Sequence, residues 1–202
     1  MGVGSISIIK HKKTEMVQFK ISSKTHLIEI IIPIFDKYPM LTSKHYDYIN
    51  FRSNLFNNIT KYERLQFYTR PNKTPYNSIK DILNLNYFDN WLVGFIEAES
   101  CFSIYKATKD NDFTASFDIS QTNGEQIILA IKERLSITSN PFLYLNNYKL
   151  KTTSKRGIQN ILIVLKSTPA KLKGYKRIQY ISWLHGLRKI KRYNTLNIPS
   201  TY

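Results

Sequence analysis

Two carboxylates stand one residue apart in the stretch Trp91 to Ile104, WLVGFIEAESCFSI. Leu92, Phe95 and Ile96 recur at helical spacing, so Glu97 and Glu99 fall near the end of a helix. From Ser100 the pattern changes to alternation. Phe102 and Ile104 face one way and Cys101, Ser103 and Tyr105 the other, as in a half-buried strand through Lys106. Carboxylates at such a junction suit a hard cation, because Mg²⁺ takes one or two protein carboxylates and fills its remaining positions with water and phosphate. On spacing alone, solvation of a helix end is the more economical reading of the same two residues. Gly94 and Ala98 lie four apart on one helical face. A glycine inside a helix costs about 1 kcal/mol relative to alanine, so Gly94 calls for a packing reason, and two small residues one turn apart allow close approach of a second helix.

Other chemistries are narrower. Cys101 is the only cysteine, which excludes disulfide frameworks and cysteine-based zinc sites. His11, His26, His45 and His185 have no metal-ligand spacing. Asn58-Ile-Thr60 and Asn72-Lys-Thr74 fit the glycosylation pattern, which an Asn-rich chain meets by chance. The 202 residues are 42% hydrophobic, enough for one sizeable core or two small ones. A net charge of +16 and a pI near 9.8 predict a polyanionic partner. The most apolar stretch, Leu27 to Phe35, is short and holds Glu29 and Pro33, so the sequence predicts no membrane span. No signal peptide is expected, and Ile6 breaks the myristoylation pattern. Heavy use of Lys, Asn, Ile, Tyr and Phe is the usage of an AT-rich genome.

The elements that must position these residues follow in order. Ser5 to Ile9 and Met16 to Ser22 read as a hairpin, with Val17, Phe19 and Ile21 on one side. Ser22 or Ser23 caps a helix over His26 to Phe35 that Pro33 disturbs. Thr42 or Ser43 opens another, with Tyr46, Ile49 and Phe56 inward. Arg52 to Tyr87 is a polar linker carrying a short helix near Ser78 to Leu85. After the central helix and strand, Phe113 to Gln121 is a second strand with Phe117 and Ile119 inward and Ser116, Asp118 and Ser120 outward. Thr122-Asn-Gly-Glu125 reads as a capping box for a helix striped by Ile127, Ile128, Ile131 and Leu135. A third strand covers Phe142 to Leu145, a basic loop Asn147 to Gly157, and a fourth strand Asn160 to Leu165. A long basic helix follows to about Arg192, burying Tyr180, Trp183, Leu184, Leu187 and Ile190, and the tail around Pro199 should fray. The chain also repeats itself: Leu41 to Phe51 aligns with Lys173 to Trp183, pairing Lys44 with Lys176 and Tyr48 with Tyr180.

LVGFIEAES, Leu92 to Ser100, resembles the signature motif of the LAGLIDADG homing endonucleases and group I intron maturases. Leu92, Gly94, Ile96, Glu97, Ala98 and Glu99 match, Phe95 is a usual variant, and Ser100 replaces the usual glycine. The run FDKYPMLTSKHYDYINF, Phe35 to Phe51, independently resembles the closing segment of a repeat in fungal mitochondrial members. The resemblance covers nearly the whole chain and implies an α+β fold. Residues 88–202 would form a complete αββαββα repeat with a saddle-shaped antiparallel sheet. Residues 61–87 would be a linker. Residues 1–60 would be a partial ββα repeat lacking the first signature helix and its acid, as in an N-terminally truncated member.

The resemblance also implies roles. Glu99 is the expected metal ligand, for Mg²⁺ or Mn²⁺, and Lys44 and Lys176 are basic residues near the catalytic centre. Gly94 and Ala98 would pack against a second signature helix. Ser103, Tyr105, Ser116, Asp118, Ser120 and Tyr144 would face base edges, while Lys106, Lys109, Lys149, Lys151, Lys155 and Arg156 would meet phosphates. The partners implied are duplex DNA, group I intron RNA or both, with self-association or a separate first-repeat half completing the molecule. The location implied is the mitochondrion, with the protein made inside the organelle. Three activities are compatible: metal-dependent DNA cleavage, RNA maturase function, and binding by a remnant without catalysis.

Overall fold

The computed structural model describes residues 2–11, 14–59, 67–107 and 112–202. Its chain divides into two compact units, Met1–Met40 with Lys44–Pro71, and Leu41–Ser43 with Asn72–Tyr202.

The first unit starts with an antiparallel hairpin of β1 (Ser5–His11) and β2 (Thr14–Lys20). Its register puts Ile6, Ile8, Val17 and Phe19 on one face, yet these residues are 56–74% exposed. A helical run follows: α1 (Lys24–His26), a π-helical turn (Leu27–Ile31) and α2 (Ile32–Lys37). Helical geometry therefore continues through Pro33. The ring cannot donate a hydrogen bond and crowds the preceding turn, and the wider π turn lies directly before it. In α3 (Lys44–Phe56) the buried residue is Tyr48, whereas Ile49 and Phe56 are exposed and Tyr46 is half-buried. The Tyr48 hydroxyl donates to Asp36 Oδ1 at 2.6 Å, and Arg52 pairs with Asp36 Oδ2 at 3.1 Å. Burial and the Asp36 hydrogen bond push the Tyr48 hydroxyl up to about 12.

The second unit runs α4 (Ile79–Leu83), α5 (Phe88–Glu99), β3 (Ser100–Lys106), β4 (Phe113–Thr122), α6 (Glu125–Arg134), β5 (Phe142–Tyr144), β6 (Asn147–Thr152), α7 (Lys155–Ser167) and α8 (Gly174–Lys189). The strands form one antiparallel sheet in the order β3-β4-β6-β5. Phe102, Phe117 and Leu150 lie on its helix-covered side and are buried with Leu92, Ile96, Ile131, Leu162 and Trp183. Gly186 lets α8 lie close on β3, since a Cβ there would meet Ile104 Cδ1 at 2.0 Å. Asp89 and Arg134 join the start of α5 to the end of α6 through two hydrogen bonds of 2.6 and 2.7 Å.

Four expectations are corrected. Asn147–Thr152 is a strand rather than a loop, and 160–165 lies inside helix α7 rather than in a fourth strand. Ile158, Ile161, Leu162 and Leu165 are all buried, at the helical i, i+3, i+4, i+7 spacing. Ser154 caps the helix, its Oγ accepting from Gly157 N at 3.1 Å. The repeat is thus αββαββαα. Ser23 caps the helical run after β2 as Ser154 caps α7 after β6. The expected capping box also fails, because the cap of α6 is Gly124 and no side chain bonds to it. The tail does not fray. Tyr202 Oη accepts from Leu172 N at 2.7 Å and Asn197 N donates to Gln159 Oε1 at 2.8 Å.

Replacing Ser154 by alanine should cost about 1 kcal/mol, the usual value of a lost N-cap. A denaturant midpoint that falls at unchanged slope checks this, and an unmoved midpoint would deny the cap a role.

Candidate nucleic-acid and metal site

The junction of α5 and β3 is held by Ser100. Its Oγ donates to the Ile96 carbonyl at 2.6 Å, and its backbone is extended at φ −100°. Serine therefore fits a place where glycine is not required by conformation. The two acids beside it differ. Glu97 Oε2 accepts from Lys173 N at 2.7 Å, just ahead of α8, where a carboxylate complements an unsatisfied amide and the helix dipole. Glu99 is exposed at the last position of α5 and makes no ion pair among the described residues. Lys176 Nζ donates to the Ser100 carbonyl and lies 3.2 Å from Gln179 Oε1. The structure thus brings Lys176 to the residue next to Glu99. Lys44 belongs to the first unit, at the start of α3, with Nζ 3.9 Å from Asp47.

No group of three or more His, Cys, Asp or Glu side chains suited to a metal exists among the described residues. Glu99 supplies one hard oxygen donor. That fits a divalent cation that shares its shell with phosphate and water, and does not amount to an all-protein cage. Gly94 and Ala98 are exposed, and a Cβ built at Gly94 meets nothing within 4 Å.

From Glu99 the chain passes directly into the sheet. Pairings across β3, β4, β6 and β5 place Ser103, Tyr105, Ser116, Asp118, Ser120, Lys149, Lys151 and Tyr144 on the side away from Phe102 and Phe117. Ser116 and Asp118 are nonetheless buried, because β4 lies inside the sheet with β3 on one flank and β6 on the other. Ser103 Oγ lies 2.8 Å from Ser116 Oγ, which donates to Asp118 Oδ2 at 3.1 Å. Lys149 Nζ stands 3.3 Å from Asp118 Oδ1, and Lys151 Nζ sits 4.9 Å from the centre of the Tyr105 ring.

Three expected phosphate contacts fall elsewhere. Lys106 is exposed at the end of β3 but pairs opposite Phe113, which puts it on the other side of the sheet. Lys155 and Arg156 are the first residues of α7 rather than loop residues, and Arg156 lines a recess with Leu129 and Lys132 of α6. Lys109 lies outside the described residues. The assignment of Glu97 to α8 and the Ser103–Ser116–Asp118 relay escaped the sequence reading. The relay could have been found from the hairpin register alone.

The LAGLIDADG endonuclease family model matches residues 1–55 and 92–186. The chain belongs to this family. It is 28% identical over 208 residues to a probable intron-encoded endonuclease, Cox1-I1b, of Schizosaccharomyces pombe, covering 94% of this chain and 51% of that protein. It is 38% identical over 134 residues to a probable intron-encoded endonuclease, aI3, of Dictyostelium citrinum, covering 64% of this chain and 51% of that one. The chain therefore spans about half the length of these curated relatives. Among solved structures, the LAGLIDADG meganuclease I-CpaMI bound to uncleaved DNA matches with TM-score 0.70 at 21% identity, over 96% of this chain and 76% of that one. The homing endonuclease I-GzeII in complex with its DNA target matches with TM-score 0.70 at 21% identity, over 93% and 72%. These structures share the α+β LAGLIDADG fold.

Proposed function

We propose that this LAGLIDADG chain acts in metal-dependent cleavage of duplex DNA and supplies one of the two acids that a double-strand cut needs. The observation that carries this reading is the continuity of Glu99 with a sheet face on which the register collects polar and cationic side chains. B-form DNA admits a β-ribbon in its major groove, and a strand face there can address base edges. Calcium ions accompany the DNA in the structure of one neighbour, I-SmaMI, with its uncleaved target. Here Mg²⁺ or Mn²⁺ would bind at Glu99, where such an ion neutralises phosphate charge and lowers the pKa of water. Glu99 holds the cation, and Lys176, tied to the Ser100 carbonyl, stations a positive charge at the same helix end. Glu97 takes no part, being committed to α8.

The exposed Gly94–Ala98 face is read as the seat of a second signature helix, from another copy or from a separate first-repeat half, and residues 1–60 as part of such a repeat. Without that partner, one acid serves one scissile phosphate. A mitochondrial setting agrees with the relatives, one of which is a mitochondrial protein of Saccharomyces cerevisiae, 32% identical over 126 residues. The second reading, binding of group I intron RNA as a maturase, rests on the same +16 charge.

The test is a salt titration. Affinity for duplex should fall steeply, with a log–log slope of about −0.9 for each phosphate neutralised. A flat dependence would refute binding through this basic face. Intron RNA titrated in parallel separates the readings: tighter, salt-resistant binding to the RNA would favour the maturase.

A further inference from the structure

Lys149 and Lys151 stand on the outward face of the sheet, and each ammonium lies against another side chain of that face. Lys149 is drawn toward a carboxylate that is itself 8% exposed and fixed by Ser116. The 3.3 Å approach is an ion pair, and the lysine side chain is half-exposed, so the outer side of the ammonium stays open to a ligand. Lys151 lies over the Tyr105 ring and pairs directly with Asp118 on the adjacent strand.

A phosphate contact needs no such fixing, because a mobile lysine satisfies it from many directions. An acid on a surface that meets a polyanion also opposes binding. Asp118 is therefore costly for affinity, and its benefit is direction. A lysine with free donors and a set direction matches the O6 and N7 acceptors of guanine in the major groove. Two residues along a strand span about 6.7 Å, close to two base steps of about 3.4 Å each.

We propose that Lys149 and Lys151 are base-reading residues for guanines about two steps apart, and that Asp118 and Tyr105 are the positioning residues that aim them. This rests on the duplex-binding reading above. It assigns the specificity to a pair of clamps rather than to the polar residues of the face at large.

The experiment selects duplexes from a randomised library with the full chain and with five variants, at one moderate salt concentration, and reads base preference position by position. Asp118→Asn keeps the shape of the side chain and removes the charge. It should lower the guanine preference at one base pair by about tenfold, while affinity for unselected duplex stays level or rises. Lys149→Gln should act at the same base pair, and the double variant should do no more than the larger single one. Tyr105→Leu should relax a second position about two steps away, and Tyr105→Phe should leave it intact because the ring remains. Thermal melts confirm that each variant is folded, and Lys149→Gln, changed at a half-exposed side chain, keeps the test open should Asp118→Asn unfold. A uniform loss across all sequences would mean that the lysines are phosphate contacts and overturn the proposal. An unchanged preference profile in folded variants would overturn it while leaving duplex binding standing. A parent chain that retains no duplex at all would overturn the duplex reading and this proposal together.

Discussion

Glu99→Gln should weaken Mg²⁺ or Mn²⁺ binding at least about tenfold, as loss of a charged ligand at an open site does. Stability should stay within about 0.5 kcal/mol, because Glu99 is exposed and makes no ion pair among the described residues. Duplex affinity should hold or rise slightly, since one negative charge leaves the face. Glu97→Gln is the matched control with the opposite outcome. The carboxamide oxygen can still accept from Lys173 N, but the charge ahead of α8 is lost, at about 0.3–1 kcal/mol. Metal affinity should not change. Calorimetric titration with Mn²⁺ in the presence of uncleaved duplex, alongside thermal melts, reads both. If Glu97→Gln removed the metal and Glu99→Gln only the stability, the assignment of the two acids would be reversed.

Trp183→Ala should destabilise the second unit by about 3–5 kcal/mol, the range for truncating a buried aromatic. Trp183 is 2% exposed, its ring centre lies 5.1 Å from that of Phe102, and its Nε1 donates to the Ser103 carbonyl at 3.2 Å. The loss therefore combines a cavity with an unpaired carbonyl in β3. Because Ser103 is on the strand that carries the proposed DNA face, duplex affinity should fall along with stability. Trp183→Phe fills most of the space and should recover more than half of the loss. A denaturant midpoint within 1 kcal/mol of the parent for Trp183→Ala would show that the β3–α8 packing matters little.

The junction at Glu99 was legible in the sequence because two periodicities meet there without ambiguity. Helical spacing ends at Ile96 and alternation begins at Ser100. The boundaries around Asn147–Ser167 were not. In β6 the inward residues are Tyr148, Leu150 and Thr152, with Lys149 and Lys151 between them. So short a strand with two cations reads as a loop, and only pairing with β4 makes it a strand. In α7 the β-branched Ile161, Ile163 and Val164 suggest a strand, but burial along one stripe outweighs that preference. The polar side of β4 was read correctly as a face and wrongly as an exposed one. Alternation reports which side a residue takes, while shading by adjacent strands is a property of the whole sheet. The roles of Glu97 and Glu99 could not be separated from local sequence, because what distinguishes them is the backbone at Lys173, far along the chain.

The hairpin β1–β2 has a thermal consequence. Two strands with Ile6, Ile8, Val17 and Phe19 open to water bury too little to offset their ordering, and isolated two-stranded hairpins are marginal in water. The second unit has a continuous core. A single melting temperature is then the wrong description of this molecule. One end loses its hydrogen-bond ladder at temperatures where the sheet bearing Glu99 is intact. Amide exchange would record a steep gradient of protection, lowest in β1 and β2 and highest in β4. Anything that covers the hairpin flattens that gradient, so the protection of its amides is a gauge of whether that face is covered.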